Sequence, residues 1–369
     1  MLQMRSRLGT RLAVVPRGML KRALSGRRQR PAHPRRILVA HQLLLGDTLM
    51  LTPLLARLRR RHPGAEIVMT VALRHLPLYA QRPYGVTAVG YDSRDRSSLK
   101  RLTALAPFDL ALVPGENRHA MLALALDSRW VVAMAGDRPG WKNRLADELI
   151  PVPAEPTALA DMFAMLAGDD DGAVYDPNDW PRPESAPFEL PGRDYAVLNV
   201  GAGSPLRLWQ PDKWRQLAAA LGGTGLEVVL CAGPGEEQLA AEIDPQRRYR
   251  SYAGALDLPQ LWRLLERARL LVCLDSGVSH LAKLSRTPTV VLYGPGSALL
   301  FGPGRFWREN AIRAVTIADF PCRDQQTLFK RRIHWVRRCQ RTLAECPAPA
   351  CMHAIEVETV LESCRALLR

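Results

Sequence analysis

From Arg36 onward the chain alternates short apolar runs with segments of helical period. Runs at 36–40 (RILVA), 66–71 (EIVMTV), 86–91 (VTAVGY), 109–113 (DLALV) and 129–134 (RWVVAM) are rich in Val, Ile and Leu and apolar at successive positions. Between the first two, Leu51, Leu54, Leu55 and Leu58 recur at i, i+3, i+4 and i+7, which predicts a helix over 48–61 with Arg57 and Arg59 to Arg61 on its solvent side. Strands apolar on both faces and separated by helices predict a parallel sheet covered on both sides. A second series follows at 195–200, 226–231, 269–274 and 289–293, with helices near 212–221, 236–243, 257–267 and 278–285. In the third of these helices Leu258, Leu261, Trp262 and Leu265 form the apolar stripe. The expected fold class is therefore α/β, with two Rossmann-like halves.

The stretch 151–191 interrupts the pattern with eight prolines, a Gly-Asp cluster at 168–172 and one helix near 157–167. Proline removes backbone donors and disfavours helix before it, so the interdomain connection is expected here. The resulting division is a basic extension at 1–34, a first domain at 35–175, a linker at 176–192, a second domain at 193–355 and a C-terminal helix at 356–369. That last helix, spanning about 355–368, is expected to pack back on the first domain.

A length of 369 residues suits two domains, and 47% hydrophobic with 24% charged residues suits a globular chain. No apolar run reaches the roughly 18 residues that cross a bilayer, and the N-terminal apolar patches are too short for a signal-peptide core. A cytoplasmic location follows as the expectation. Residues 1–36 hold eleven Lys or Arg and no acid, against a net charge of +15 for the whole chain. Like charges with little apolar surface give a solvated tail. The same charges could equally anchor the protein to anionic lipid at the cytoplasmic face of the inner membrane, where the helical spacing of Leu8, Leu12, Val15, Met19 and Leu20 suits an interfacial helix. No nucleic-acid-binding module accompanies the charge, so nucleic acid is not an expected partner.

Seven cysteines, odd in number and scattered, imply no disulfide framework. Cys231 and Cys273 lie in strand-like runs and read as buried thiols. Cys322, Cys339, Cys346 and Cys351 could together hold zinc, but the spacing lacks paired CxxC knuckles, and free thiols with no bound metal are the expectation.

Ligands of open α/β sheets sit beyond the carboxyl ends of strands, where helix N-termini offer N–H groups to anions. Four motifs fall at such places. Gly46-Asp47 follows the first strand, and Asp47 either caps the next helix or projects into a cleft. Gly201-Ala202-Gly203-Ser204-Pro205-Leu206-Arg207 follows the strand at 195–200. Its glycines and serine can bring amides to an anion and Arg207 can add a forked charge, although neither a GxGxxG nor a Walker spacing is present. Gly233-Pro234-Gly235-Glu236-Glu237 puts a carboxylate where a ribose diol could donate to it, or simply where a helix dipole favours acids. Asp275-Ser276-Gly277-Val278-Ser279-His280 follows the strand at 269–274, with Ser276 placed to cap and the amides of Gly277 and Val278 placed to face a phosphate. His280 reads equally well as a core histidine.

In this order the motifs resemble glycosyltransferase family 9, the ADP-heptose:lipopolysaccharide heptosyltransferases. The likeness is carried by ILVAHQLLLGDTLMLTPLLARLRRRHPGAEI (37–67), GAGSPLRLWQPDKWRQLAAAL (201–221), LVCLDSGVSHLAKLSRTPTVVLYGP (271–295) and the cysteine-bearing PC (321–322) and CPAPACM (346–352). It implies a GT-B architecture, acceptor bound mainly by the first domain and nucleotide sugar by the second, and inverting transfer without a metal or other cofactor. Residue by residue, it implies Asp47 as general base, with Gly46 and His41 on the acceptor side. On the donor side it implies Gly203, Ser204 and Arg207 at the diphosphate, Glu236 at the ribose, Asp275 at the sugar hydroxyls, Ser276, Gly277 and Val278 at phosphate, and His280 beside them. The partners implied are an ADP-sugar and an anionic lipid-linked oligosaccharide. His41 stands where the family commonly has Arg or Lys, Arg207 where it has Lys, and Leu208 where a second basic residue is frequent; these departures bear on donor choice and efficiency. An epimerase or hydrolase built on the same architecture, or a non-catalytic assembly protein at the membrane surface, is the competing expectation.

Overall fold

The computed structural model describes residues 29–369 together with Pro16 and Gly18. The basic extension expected to form a tail or an interfacial helix therefore lies almost wholly outside the described residues. The chain divides into two compact units. The first takes the chain up to Pro156, then Ala160–Ala173 and Thr327–Trp335; the second takes Thr157–Leu159, Val174–Gln326 and Val336–Arg369.

The first unit is built from β1 (Arg36–Val39), α1 (Leu45–Leu49), α2 (Thr52–Arg61), β2 (Glu66–Val71), β3 (Val86–Gly90), α3 (Arg96–Thr103), β4 (Phe108–Val113), α4 (Ala120–Ala125), β5 (Ser128–Met134), β6 (Glu148–Ile150) and α5 (Leu159–Ala164). Its six strands pair in parallel in the order β3-β2-β1-β4-β5-β6. The order reverses between β1 and β4, and loops leaving these two strands diverge to opposite sides. That divergence opens the crevice in which doubly wound sheets bind ligands.

The apolar stripe of α2 is buried as its period requires: Leu54, Leu55 and Leu58 are inaccessible. Its arginines do not face solvent as a group. Arg57 is buried, donating to the Gly168 carbonyl at 2.7 Å and to Asp170 at 2.9 Å, and Arg60 pairs with Asp171 at 2.7 Å. The Gly-Asp cluster that resembled linker is thus the acidic partner of this helix, and most of 151–173 belongs to the first unit. A guanidinium on a long stem can bury its methylenes and still find oxygens, which polarity patterning alone does not register.

The second unit repeats the plan with β7 (Tyr195–Asn199), α6 (Pro211–Gly222), β8 (Glu227–Cys231), α7 (Glu237–Ile243), β9 (Arg250–Ser251), α8 (Leu258–Glu266), β10 (Leu270–Leu274), α9 (Gly277–Ser285), β11 (Thr289–Tyr293), α10 (Ala298–Phe301) and β12 (Ile312–Thr316). Its parallel order, β12-β11-β10-β7-β8-β9, has the same switch point, here between β7 and β10. Asp257 and Gln260 form a reciprocal capping box at the start of α8. Leu261, Trp262 and Leu265 on that helix are buried.

The final helices, α11 (Ala350–His353) and α12 (Val357–Leu368), correct an expectation. α12 packs on the second unit's own sheet and on α6, and it belongs to that unit. Val360, Leu361 and Cys364 enter its core. Trp209 donates to the Ile355 carbonyl at 3.0 Å, and Lys213 donates to the carbonyls of His353 and Ile355 at 2.8 Å each. Conversely, the hairpin of β13 (Thr327–Leu328) and β14 (Arg331–Arg332) lies within the range expected to be second domain yet belongs to the first unit. Arg331 is its anchor. Buried, it donates to the carbonyls of Gly115 (2.6 Å) and Ala135 (2.9 Å) and to the Asn117 side chain (2.5 Å).

Candidate functional site

The predicted residues fall into two sets, each at the switch point of its own sheet. In the first unit the β1 exit carries His41, Gly46 and Asp47. Gly46 and Asp47 do not precede a helix. They lie inside the short α1, whose cap position is Leu44 without a side-chain cap bond. Asp47 is half-buried in its first turn, where the helix dipole favours a carboxylate. Thr48, fully buried, donates to the Leu44 carbonyl at 2.8 Å and fixes that turn.

His41 is buried at the end of β1. Its backbone N–H donates to Thr70 Oγ1 at 2.8 Å, and its Nδ1 accepts from Leu43 N at 3.2 Å. With Nδ1 accepting, the neutral ring carries its proton on Nε2, which has no hydrogen-bond partner. Burial pushes the imidazole down to about 3, helped by His119 and His75. Burial likewise lowers His75 and His119 to about 4 each. The position where the resemblance leads one to expect a cation is thus a neutral imidazole with a free donor.

Across the switch point, Gly115 (φ +84°) turns the chain out of β4. Asn117 follows, its N–H donating to Asp137 at 2.6 Å and its side chain donating to the Met134 carbonyl at 2.9 Å. None of His75, His119, Asn117, Asp137 or Arg331 was singled out in the sequence. The readable signal was Pro114-Gly115 at a strand exit, but only the strand order makes β4 the neighbour of β1.

In the second unit the loops after β7 and β10 meet. Arg207 ends a 3-10 turn at Pro205–Arg207 and donates from Nη1 to the Asp275 carbonyl at 2.6 Å; the same nitrogen is 3.7 Å from the Asp275 carboxylate. Asp275 is buried, and burial raises its carboxyl above the usual range, opposed by the charges of Arg207, Lys283 and Arg338. Its Oδ2 and the hydroxyl of Ser276 are both buried and accept or donate no hydrogen bond. Ser276 holds the cap position of α9 without capping it, so the first amides of that helix, Gly277 and Val278 among them, keep their N-terminal character. A Cβ on Gly296 would collide with Asp275 Oδ2, so glycine is needed there for close approach. The sequence did not flag that residue.

Glu236 lies at the β8 exit, its Oε2 accepting from Gly233 N at 2.9 Å. A Cβ on Gly201 would strike the same carboxylate, whereas one on Gly203 would meet nothing within 4 Å. A side chain at Gly201 would thus require the Glu236 carboxylate to move, and one at Gly203 would not. Ser204 precedes the 3-10 turn without a side-chain cap bond, and Leu208 packs half-buried against the core.

His280 is drawn inward. Its Nδ1 is 3.1 Å from Lys283 Nζ, which donates to the carbonyls of Phe301 and Gly302 at 2.8 and 2.7 Å and lies over the Trp307 ring. Burial and that ammonium hold His280 well below its ordinary value, so it is a neutral member of the support that ties α9 to α10.

A family description, glycosyltransferase family 9 (heptosyltransferase), matches residues 106–332. Lipopolysaccharide heptosyltransferase 3 of Escherichia coli (strain K12) is 26% identical over 299 residues, covering 73% of this chain and 84% of its own. Lipopolysaccharide heptosyltransferase 2 of Salmonella typhimurium is 27% identical over 329 residues, covering 76% and 88%. Among solved structures, a family 9 glycosyl transferase from Veillonella parvula superposes with a TM-score of 0.71 at 18% identity, covering 90% of this chain and 97% of the other. E. coli ADP-heptose LPS heptosyltransferase II gives 0.68 at 21%, covering 90% and 98%. An E. coli heptosyltransferase with ADP gives 0.63 at 17%, covering 90% and 99%. The expected GT-B fold class, with its two Rossmann-like halves, is that of these structures.

Proposed function

Because the chain belongs to glycosyltransferase family 9, the heptosyltransferase family, we propose that it moves a heptose, or a related sugar, from an ADP-sugar to a lipopolysaccharide core or similar lipid-linked oligosaccharide. The reading draws on the names of its relatives and on the ADP held by a structural neighbour. One observation carries it. At the β7/β10 switch point an anchored guanidinium, a helix N-terminus and two buried oxygens without hydrogen bonds converge. That set suits a ligand that is both anionic and rich in hydroxyls.

In the proposed reaction Asp47 accepts the proton of the acceptor hydroxyl. The oxygen attacks the anomeric carbon from the face opposite the diphosphate, the bond to the leaving oxygen breaks, and configuration inverts. Such a base contributes a rate factor of about 10² to 10⁴. Charge develops on the departing ADP. Arg207, whose Nη1 is held by the Asp275 carbonyl, and the amides around Ser276, Gly277 and Val278 stabilise it without calling on a divalent ion. Ser204 and the open backbone at Gly203 complete the phosphate loop. Glu236, fixed through Oε2, offers its other oxygen to the ribose diol. Asp275 accepts from sugar hydroxyls, and His280 supports it from behind. His41, with its free Nε2–H, and Gly46 bind on the acceptor side.

Among the described residues no helix is long and apolar enough to cross a membrane. A peripheral position at the cytoplasmic face of the inner membrane is part of the same proposal. It rests on the basic segment at 1–34, where each cation near anionic lipid contributes on the order of 1 kcal/mol. Asp47→Asn tests the chemistry. Transfer from ADP-heptose to heptose-deficient lipopolysaccharide should fall by about 10² or more while ADP affinity is kept; unchanged turnover would remove Asp47 from its role.

A further inference from the structure

The hairpin of β13 and β14 is a late segment of the chain taken up by the first unit, and its two faces differ. Burial alternates along it with the period of a strand. Arg331 and Ile333 are buried, Arg332 and His334 are exposed, and Lys330 joins the exposed side from the turn. The buried face is fixed to the carboxyl rim of the sheet. Arg331 donates to the carbonyls of Gly115 after β4 and Ala135 after β5, and Trp335 Nε1 donates to the Pro153 carbonyl at 2.9 Å. The Phe329 ring is 5.9 Å from that of Phe163. Its Cδ1 is 3.7 Å from where a Cβ on Gly115 would stand, and Leu43 Cδ2 is 3.1 Å from the same point. The tip of the hairpin therefore sits where the loops leaving β1 and β4 diverge, beside the loop that leads to Asp47.

The turn itself is strained. Phe329 and Lys330 both have positive φ (45° and 65°), as a two-residue hairpin turn requires, whereas glycine or asparagine meets that requirement more easily. Side chains kept in such a conformation cluster at functional sites. The two exposed cations are also uncommitted: among the described residues the side chains of Lys330 and Arg332 make no hydrogen bond or ion pair. Their neighbours at the crevice are different. His41 is neutral, and Arg118 after β4 is paired with Glu116 at 3.2 Å.

We propose that this hairpin is an acceptor-binding element, in which Lys330 and Arg332 hold an anionic substituent, phosphate or carboxylate, on the acceptor saccharide. The proposal rests on the transfer reading given above and adds to it the residues that recognise the acceptor's charge. Arg332 presents a planar fork that either oxyanion meets with two parallel hydrogen bonds, and Lys330 adds a point charge on a flexible stem. Both cations face solvent, so their attraction is screened over a Debye length of roughly 8 Å at physiological salt and fades as salt rises.

The double variant Lys330→Gln/Arg332→Gln tests this in the full chain, with Arg313→Gln, an exposed cation of β12, as control. The calorimetric ligand is deacylated lipopolysaccharide core oligosaccharide, so neither turnover nor a membrane is needed. The double variant should bind it about tenfold more weakly than the parent at low salt, with the gap closing at high salt and with ADP affinity and circular dichroism unchanged. Lys330→Arg/Arg332→Lys, which keeps both charges, should bind within a few-fold of the parent. In the transfer assay the KM for the acceptor should rise in the Gln variant and the KM for the ADP-sugar should not. Removing phosphates from the oligosaccharide, or esterifying its carboxylates, should abolish the difference in one case, and that case names the group. Equal affinities of parent and Gln variant, a loss shared by the Arg313 control, or a difference that survives both treatments would overturn the proposal. So would weakened binding to phosphatidylglycerol vesicles with oligosaccharide affinity intact, which would make the hairpin a membrane contact. A parent that binds the oligosaccharide through these cations yet transfers no sugar to it would leave the hairpin site standing and sink the transferase reading instead.

Discussion

Acid should destabilise the first unit through two buried histidines. His41 and His75 are essentially inaccessible, with pKa values lowered to about 3 and about 4 by burial and by neighbouring cations or imidazoles. Unfolded, each would titrate near 6.5. The folded values are depressed, so the unfolded chain binds more protons below 6.5. The stabilising neutral state is fully present above that pH and is lost as pH falls toward 4 and then 3. At pH 5 each histidine costs about 2 kcal/mol relative to neutral pH, or about 4 kcal/mol together, which is a large share of the 5–15 kcal/mol typical of folded proteins. Urea unfolding at a series of pH values, with hydrogen exchange of β1 and β2 peptides to localise the loss, measures this. His41→Gln should remove about 2 kcal/mol of the pH-dependent loss between pH 7 and 5, leaving the shares of His75, His119 and His280 in place. Comparing variant with parent cancels contributions from carboxylates, including Asp275, whose raised value acts in the opposite sense. If His41→Gln keeps the parent's pH slope, the imidazole is not held neutral by the fold and the reasoning fails.

Two further outcomes concern the donor side. Arg207→Ala removes a charge-assisted donor worth about 1.5–3 kcal/mol, so ADP affinity by calorimetry should fall by about 10- to 150-fold, with Arg207→Lys between parent and Ala because it keeps charge but not the fork. Gly296→Ala places a methyl on Asp275 Oδ2; the KM for the ADP-sugar should rise at least severalfold while circular dichroism stays unchanged, and a wild-type KM would show that the carboxylate is not positioned by this contact.

Much was legible in the sequence because it is local. Alternating apolar runs and helical stripes specified the long strands and helices to within a residue or two: 66–71 and 289–293 coincide with β2 and β11, and 257–267 brackets α8. The strands β6, β9 and β12 were not readable: β6 and β9 have only three and two residues, and the apolar positions of β12 (IRAVT) are interrupted by Arg313 and mostly left accessible. Strand-exit motifs marked Asp47, Arg207, Glu236 and Asp275 because a turn, a glycine and a polar residue must follow each strand.

Tertiary structure decided the rest. Only strand order shows that the exits of β7 and β10 are neighbours, and so that Arg207 meets Asp275 rather than solvent. Burial, not residue type, made His41 and His280 neutral and turned Arg57 inward onto a Gly-Asp cluster that looked like linker. The chain path sent 327–335 to the first unit and α12 to the second, through hydrogen bonds such as Arg331 to Gly115 and Trp209 to Ile355 that span up to 216 residues. Secondary structure is written by nearest neighbours along the chain. Charge state, pairing and the close approach at Gly296 depend on groups that sequence separation hides.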